Sequence, residues 1–201
     1  MQLYGTTTSP FVRRVRVVAA ACGEPVELVN TAPDAGQAAL RAISPIAKVP
    51  VAVIDGRTLL DSITIIDWLR AHRGGAGLTT PVDAWHERNL VSAIDAALDA
   101  AISTFYLKRD GVDVDALART AVQRARVTTI LTWLDGQLAP GATRLVPGPA
   151  DQLDLPTLSL LCTLDWMAFR DAHPITGLPG LASVRAAWTD HPLLVATRPH
   201  V

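Results

Sequence analysis

Cysteine is scarce in this chain, with only Cys22 and Cys162 among 201 residues. Both lie in apolar patterns of helical period, and neither has a second Cys or a His at the spacing of a metal site. Free cysteine usually packs in proteins as a small hydrophobic residue. The five histidines show no pairing typical of a general base or a metal ligand. The sequence therefore predicts two buried thiols and no metal.

An excess of charge of either sign is also absent. The chain has 18 Lys and Arg against 19 Asp and Glu, a formal net charge of -1, without a run of like charges. This balance gives no general attraction to nucleic acid or anionic membrane. The N-terminus lacks the basic and apolar segments of a signal peptide, and we expect no later segment to be apolar enough to span a bilayer. These features predict a cytoplasmic protein.

The first 73 residues alternate strand and helix signals, which is typical of a sheet with helices packed on it. The order is βαβ followed by ββα, and it predicts an α/β domain over residues 1–73. The hydrophobic content of 49% is ample for a buried core. The predicted strands are Leu3-Tyr4, Val26 to Asn30, Val51 to Ile54 and Arg57 to Leu60, and the predicted helices begin at Pro10, Asp34 and Ser62.

The first predicted helix has clear start and stop signals. Ser9 is the expected N-cap, Pro10 suits the first turn, and Gly23 ends the helix. Its apolar residues recur at helical spacing, so one face is expected to be buried. The three arginines are expected mostly on the other face; they are Arg13, Arg14 and Arg16.

A glycine-rich stretch at residues 73–77 is typical of a domain linker, which we place at residues 74–81. Strand signals largely stop beyond it, so residues 82–201 are predicted to form an all-helical domain. Asp154 is expected to cap the third helix of that domain, with Pro156 in its first turn. The predicted helices are Pro81 to Tyr106, Val114 to Leu138, Leu155 to Asp171 and Leu181 to Asp190.

The most informative stretch is Lys48-Val49-Pro50, which directly precedes the predicted strand Val51 to Ile54. Proline cannot donate to a sheet ladder, so Pro50 should be the first residue of that strand, in a turn that accommodates a cis bond. The backbone of Val49 would then be free to pair with a peptide-like ligand. Asp61-Ser62 opens an apolar helix, where a charged ligand group can bind. An extended peptide with a charged end fits both features.

These motifs, in this order and spacing, resemble the cytosolic glutathione transferases over the whole chain. Residues 8–15 (TSPFVRRV) and 44–50 (SPIAKVP) are similar to those of bacterial serine-type members, and residues 164–170 (LDWMAFR) resemble the sixth helix of that branch. The resemblance implies a thioredoxin-like N-terminal domain with a mixed four-stranded sheet, an all-α C-terminal domain and a homodimer. It also implies glutathione as co-substrate.

The resemblance gives Ser9 the catalytic role, a hydrogen bond to the thiolate of glutathione. A free thiol titrates near pH 8.5, and lowering its pKa by about two units takes roughly 2.7 kcal/mol. A hydroxyl bond to a charged group contributes about 1.5–3 kcal/mol, and a helix N-terminus adds about 0.3–1 kcal/mol. Ser9 and its helix are therefore sufficient. The alternatives are that Ser9 is only a cap, or that Thr7, Thr8 or, less favoured, Tyr4 supplies the hydroxyl.

By the same resemblance, the glutathione-binding residues are Lys48, Val49, Pro50, Asp61 and Ser62. Val49 would pair with the cysteinyl part, Asp61 with the γ-glutamyl ammonium and Ser62 with its carboxylate. Two positions depart from the family pattern. Many members have Glu where Asp61 stands, and several classes have a polar residue where Ala47 stands, for which Lys48 or Arg13 is a possible replacement.

The electrophile pocket implied by the resemblance includes Phe105 and Tyr106 in the first helix of the second domain, although at helical spacing such aromatics more often belong to a core. The leading hypothesis is a transferase that attacks a small hydrophobic electrophile. Two alternatives remain open: a glutathione-dependent isomerase or dehalogenase using the same thiolate, and a non-catalytic binding protein of this fold. A dithiol-disulfide cycle is disfavoured because neither Ser9 nor Val12 is a cysteine.

Overall fold

A computed structural model of the chain describes residues 1–74, 78–149 and 151–200. The chain divides into two compact units, one comprising Met1–Thr80 with Asp190–Val201 and the other Pro81–Thr189. Residues 75–77 of the predicted linker lie outside the described residues. The last twelve or so residues differ from the expected division, because they group with the first unit and not with the helical one.

The first unit contains a mixed four-stranded sheet in the order β2-β1-β3-β4. Strands β1 and β2 are parallel, whereas β3 is antiparallel to both β1 and β4. This sheet and its helices confirm the predicted α/β fold class. The elements are β1 (Gln2–Gly5), α1 (Pro10–Ala21), β2 (Glu27–Asn30), α2 (Asp34–Ile43), β3 (Val51–Ile54), β4 (Arg57–Leu60) and α3 (Ser62–His72).

The core of this unit lies where α1 and α3 pack together on the sheet. Leu3 and Val51 of the central strands and Val12 of α1 are completely buried. Gly5, the last residue of β1, lies so close to Val12 that an added Cβ would collide with the valine side chain. The absence of a side chain at Gly5 therefore lets the first turn of α1 approach the end of β1.

The expectation that the arginines of α1 face solvent is wrong for Arg13 and Arg14, which are buried. Arg13 donates to the carbonyl of Leu194 at 3.0 Å and to the hydroxyl of Thr197 at 3.4 Å. Both partners belong to the C-terminal segment, which contains the short, unpredicted helix α8 (Pro192–Ala196). A cation that binds carbonyls at a helix C-terminus is favourable. This contact explains why the C-terminal segment groups with the first unit.

The second unit is helical, as predicted. Its longest helix, α4, packs against α5 and α6. Helix α5 begins four residues later than expected, because Asp113 accepts bonds from the N–H groups of Asp115 and Ala116 in a separate turn. The helices are α4 (Ala84–Arg109), α5 (Ala118–Gly136), α6 (Leu155–Arg170) and α7 (Pro179–Trp188).

The expectation that no segment is apolar enough to span a bilayer is wrong for α4. By length and composition alone, this helix could cross a membrane. Many of its apolar side chains, including Leu90, Ile94 and Leu98, are buried within the protein. The core helix of a soluble protein passes the same test, so the property is weak evidence for a membrane span.

Helix α6 begins at the predicted cap. Oδ1 of Asp154 accepts a hydrogen bond from the N–H of Thr157 at 2.6 Å, and Asp154 is completely buried. In the described part of the chain its Oδ2 is buried without a hydrogen-bond partner. Burial raises the pKa of the Asp154 carboxyl, against the opposing effects of Thr157 and Arg144. The cap therefore combines a strong hydrogen bond with a costly buried charge.

We expect Asp154→Ala to lower the free energy of unfolding by about 1–2 kcal/mol, because the cap bond of α6 is lost. Asp154→Asn should cost less, since it keeps an acceptor and removes the buried charge. As the folded pKa is raised, wild type should lose stability relative to Asp154→Asn as the pH rises above 3.8. Urea denaturation at several pH values measures both effects. Equal losses in the two variants would contradict this assignment of the cap.

Candidate functional site

Three predicted site segments meet at one end of the sheet. In the strand register Tyr4 lies opposite Val51, and Val51 lies opposite Leu60. Because β3 runs antiparallel to its neighbours, its first residue is beside the ends of β1 and β4. The segments just beyond this row therefore lie together. They are the loop from β1 to Ser9, the turn at Val49-Pro50, and Asp61-Ser62.

Ser9 is half-buried at the N-cap of α1, with Pro10 as the first helical residue. Its Oγ accepts a hydrogen bond from the N–H of Val12 at 3.3 Å, which is long for such a bond. A hydroxyl has two acceptor sites and one donor, so the cap bond leaves its hydrogen available. Ser9 can therefore cap the helix and donate a hydrogen bond outward at the same time.

The alternative hydroxyls are differently placed. Oγ1 of Thr7 donates to the carbonyl of His200 at 2.8 Å, which uses its only hydrogen. Oγ1 of Thr8 shares a hydrogen bond with that of Thr6 at 3.1 Å. Tyr4 is half-buried within β1 itself. The hydrogen-bond pattern thus favours Ser9 over Thr7 as an outward donor.

The Val49–Pro50 peptide bond is cis, and Pro50 is buried directly before β3. Within the described residues, the N–H and C=O of Val49 take part in no backbone hydrogen bond. Lys48 is exposed, and Ala47 is also exposed with a left-handed φ of 47°. The turn therefore presents an unpaired peptide unit at the sheet end, as the sequence predicts for a peptide-like ligand.

Asp61 is an exposed N-cap of α3. Its Oδ1 accepts hydrogen bonds from the N–H groups of Ile63 at 2.8 Å and Thr64 at 2.9 Å. Its backbone has φ 63° and ψ 161°, a region that is rare for residues other than glycine. Such strain persists only where surrounding contacts enforce it, and it is frequent at ligand sites. Both cap bonds use Oδ1, so Oδ2 lies outside the capping interaction.

Ser62 is bound by an arginine that sequence reasoning did not assign to the site. Nε and Nη2 of Arg14 donate to Oγ of Ser62 at 3.0 and 2.7 Å. Both side chains are buried, with 3% of Arg14 and 2% of Ser62 exposed. The guanidinium also lies over the Phe11 ring, 5.0 Å from its centroid. Two incoming N–H groups occupy both acceptor sites of the hydroxyl, so Ser62 can only donate to a ligand.

Phe105 and Tyr106 lie near the end of α4, in the second unit. The two rings form an edge-to-face pair with centroids 5.5 Å apart, and Phe105 makes a similar pair with Trp166 at 5.5 Å. Trp166 is buried, whereas Tyr106 is 47% exposed. Phe105 therefore joins the helical core, and Tyr106 presents an aromatic surface.

A cavity of about 370 Å³ lies at the opposite end of the sheet, among Gln2, Glu27 and Val53. Glu24 on its wall accepts from the N-terminal ammonium at 2.9 Å and from Arg73 at 2.6 Å. Burial opposes ionisation of Glu24, but these two cations lower its pKa. Its carboxylate is thus already neutralised. Within the described ranges, no group of three His, Cys, Asp or Glu residues could hold a metal ion.

Comparisons with known proteins agree with this geometry. The family model for the glutathione S-transferase N-terminal domain matches residues 3–77. The chain is 24% identical over 177 residues to the uncharacterized GST-like protein YibF of Escherichia coli (strain K12), covering 87% of this chain and 85% of that protein.

Solved structures extend the likeness over the whole chain. A glutathione S-transferase from Methylobacillus flagellatus KT with glutathione bound is 26% identical, with a TM-score of 0.85 and 99% coverage of both chains. A glutathione transferase family member from Pseudomonas fluorescens Pf-5 with bound glutathione is 27% identical, with a TM-score of 0.82, covering 100% of this chain and 99% of that one. Residues 3–77 thus match the glutathione S-transferase N-terminal domain, and the whole chain is similar in sequence and fold to glutathione transferases.

Proposed function

We propose that this protein is a cytoplasmic glutathione transferase that activates the thiol of glutathione at Ser9 and transfers it to a small electrophile. The main support for this proposal is the hydroxyl of Ser9 at the N-terminus of α1, whose hydrogen has no acceptor among the described residues. It lies at the same end of the sheet as the unpaired peptide unit of Val49 and the donor Ser62. The glutathione-bound relatives support the choice of tripeptide.

The tripeptide would use each of these groups. Its cysteinyl backbone pairs with Val49, which directs the sulfur toward Ser9. Its γ-glutamyl carboxylate accepts from Ser62 and lies at the positive end of α3, while its ammonium contacts Asp61. Lys48 is the nearest candidate for the glycyl carboxylate, because Arg13 is committed to the C-terminal segment.

The transfer reaction then requires only the glutathione thiolate and a bound electrophile. Ser9 stabilises the sulfur anion by a charge-assisted hydrogen bond, and the helix terminus adds to it. The thiolate attacks the electrophilic carbon, and the leaving group departs with its electron pair. The homodimer expected from the resemblance is part of the proposal.

Glutathione should bind and stabilise the folded protein. At a concentration about a hundredfold above the dissociation constant, linkage adds roughly 2.7 kcal/mol to the free energy of unfolding. The melting temperature should therefore rise with glutathione concentration. A second thermal denaturation with S-methylglutathione, which has no free thiol, separates binding from thiol chemistry. An unchanged melting temperature with both ligands would refute the assignment of the site.

Ser9→Ala should raise the pKa of bound glutathione by about one to two units, because a hydrogen bond to a charged group contributes roughly 1.5–3 kcal/mol. Turnover at neutral pH should fall about ten- to a hundredfold and partly recover at high pH, where the thiol ionises unaided. Ultraviolet absorbance of the thiolate against pH measures the first effect, and rates with 1-chloro-2,4-dinitrobenzene measure the second. Thr7→Val is the matched control, since its hydroxyl is already used.

Identical thiolate titrations in wild type and Ser9→Ala would reduce Ser9 to a helix cap. Tight glutathione binding without turnover of any electrophile would instead favour the binding-protein hypothesis.

Arg14→Met should weaken glutathione binding about ten- to a hundredfold, because Ser62 loses two charge-assisted bonds that orient its hydroxyl. The loss should be much smaller for the dipeptide Cys-Gly, which lacks the γ-glutamyl group. Arg13→Met is the matched control, a neighbouring buried arginine bound to Leu194 and Thr197. Calorimetric titration with both peptides measures the difference. Equal losses for the two peptides would show that Arg14 serves the fold alone.

A further inference from the structure

The last turn of α6 carries a cation, Arg170, that has no carboxylate partner among the described residues. The guanidinium of Arg170 lies over two aromatic rings, 5.4 Å from the centroid of Phe105 and 4.7 Å from that of Phe169. Its Nε is buried and, over the described ranges, has no hydrogen-bond partner. No ion pair with Arg170 occurs among those residues either. In the part of the chain that the structure describes, the guanidinium therefore has aromatic neighbours but no counter-ion.

Two other arginines of the same unit pair with carboxylates. Arg109 lies over the Tyr106 ring, 4.5 Å from its centroid, but it also pairs with Asp110 at 3.0 Å. Arg185 pairs with Asp165 of α6 at 2.8 Å. Among the described residues, Arg170 differs from these two arginines in having no carboxylate partner.

The chemistry of this cluster indicates one class of ligand. Ring faces attract a cation, yet they leave the N–H donors in the guanidinium plane unsatisfied. A carboxylate satisfies two of these donors at once in a bidentate pair. Tyr106 is 47% exposed and Phe169 36% exposed, so flat apolar surface adjoins the charge. An aromatic ring bearing a carboxylate matches both features.

We propose that Arg170, with Phe105, Tyr106 and Phe169, forms a binding site for an aromatic carboxylate. The carboxylate pairs with Arg170, and the aromatic body lies on the exposed rings. The binding does not depend on glutathione, so this inference does not rest on the proposed function.

The binding test needs no glutathione. Calorimetry compares 3,5-dinitrobenzoate with 3,5-dinitrobenzamide, which has nearly the same shape without the charge. Wild type should bind the acid about ten- to a hundredfold more tightly than the amide, the range expected for a hydrogen-bonded charge pair. Arg170→Met, which retains the contact with the rings, should abolish the preference, and Arg170→Lys should keep part of it. Arg109→Met, the control, should change the preference by less than about twofold, since exposed pairs contribute little.

Equal binding of acid and amide by wild type would overturn the inference, as would equal effects of Arg109→Met and Arg170→Met. The wild-type comparison stands even if Arg170→Met does not fold. Conjugation of 4-chloro-3,5-dinitrobenzoate and its amide then separates the two proposals. Selective binding of the acid without conjugation of either compound would refute the transferase and leave the Arg170 site intact. Conjugation of both compounds, together with equal binding of 3,5-dinitrobenzoate and 3,5-dinitrobenzamide, would refute the Arg170 site and leave the transferase intact.

Discussion

The antiparallel placement of β3 between β1 and β4 is the constraint on which the candidate site depends. Three segments far apart in the sequence reach one end of the sheet only because the start of β3 lies beside two strand ends. A one-residue slip would move every side chain of a strand to the other face, so the buried core fixes this register. Leu3, Val51 and Ala52 are completely buried in the central strands and help to enforce it. The same strand register therefore both packs the core and brings the three site segments together.

Buried arginines connect this scaffold to its functional edge. Burying a guanidinium is costly unless hydrogen bonds replace its lost hydration. Arg13 donates hydrogen bonds to Leu194 and Thr197, which ties the C-terminal segment to α1. Arg14 donates two hydrogen bonds to Ser62, which joins α1 to the start of α3. Adjacent positions on one helix therefore secure two different parts of the first unit.

Local signals in the sequence were sufficient for most elements. Proline and glycine at Pro10, Gly23 and Pro50 mark element boundaries, because they restrict or relax the backbone directly. The arginines were misjudged because their partners are distant: Ser62 is 48 residues from Arg14, and Leu194 is 181 residues from Arg13. A periodic pattern records which face is apolar, but it does not record a polar partner on another element. Helix α8 was missed because five residues are too few for a period.

Ser9 and Ser62 have the same side chain, but their hydrogen-bond partners give them different roles in the site. Ser9 receives one long bond from its own helix, so its hydroxyl keeps a free acceptor site as well as its hydrogen. Ser62 receives two bonds from a cation, so only its hydrogen is left, and the nearby charge polarises that hydrogen further. Ser62 is therefore suited to a fixed anion such as a carboxylate. Ser9 can accept a hydrogen bond from the sulfur while it is a thiol and donate one to it when it is a thiolate. Activation of a bound thiol requires a hydroxyl that can do both.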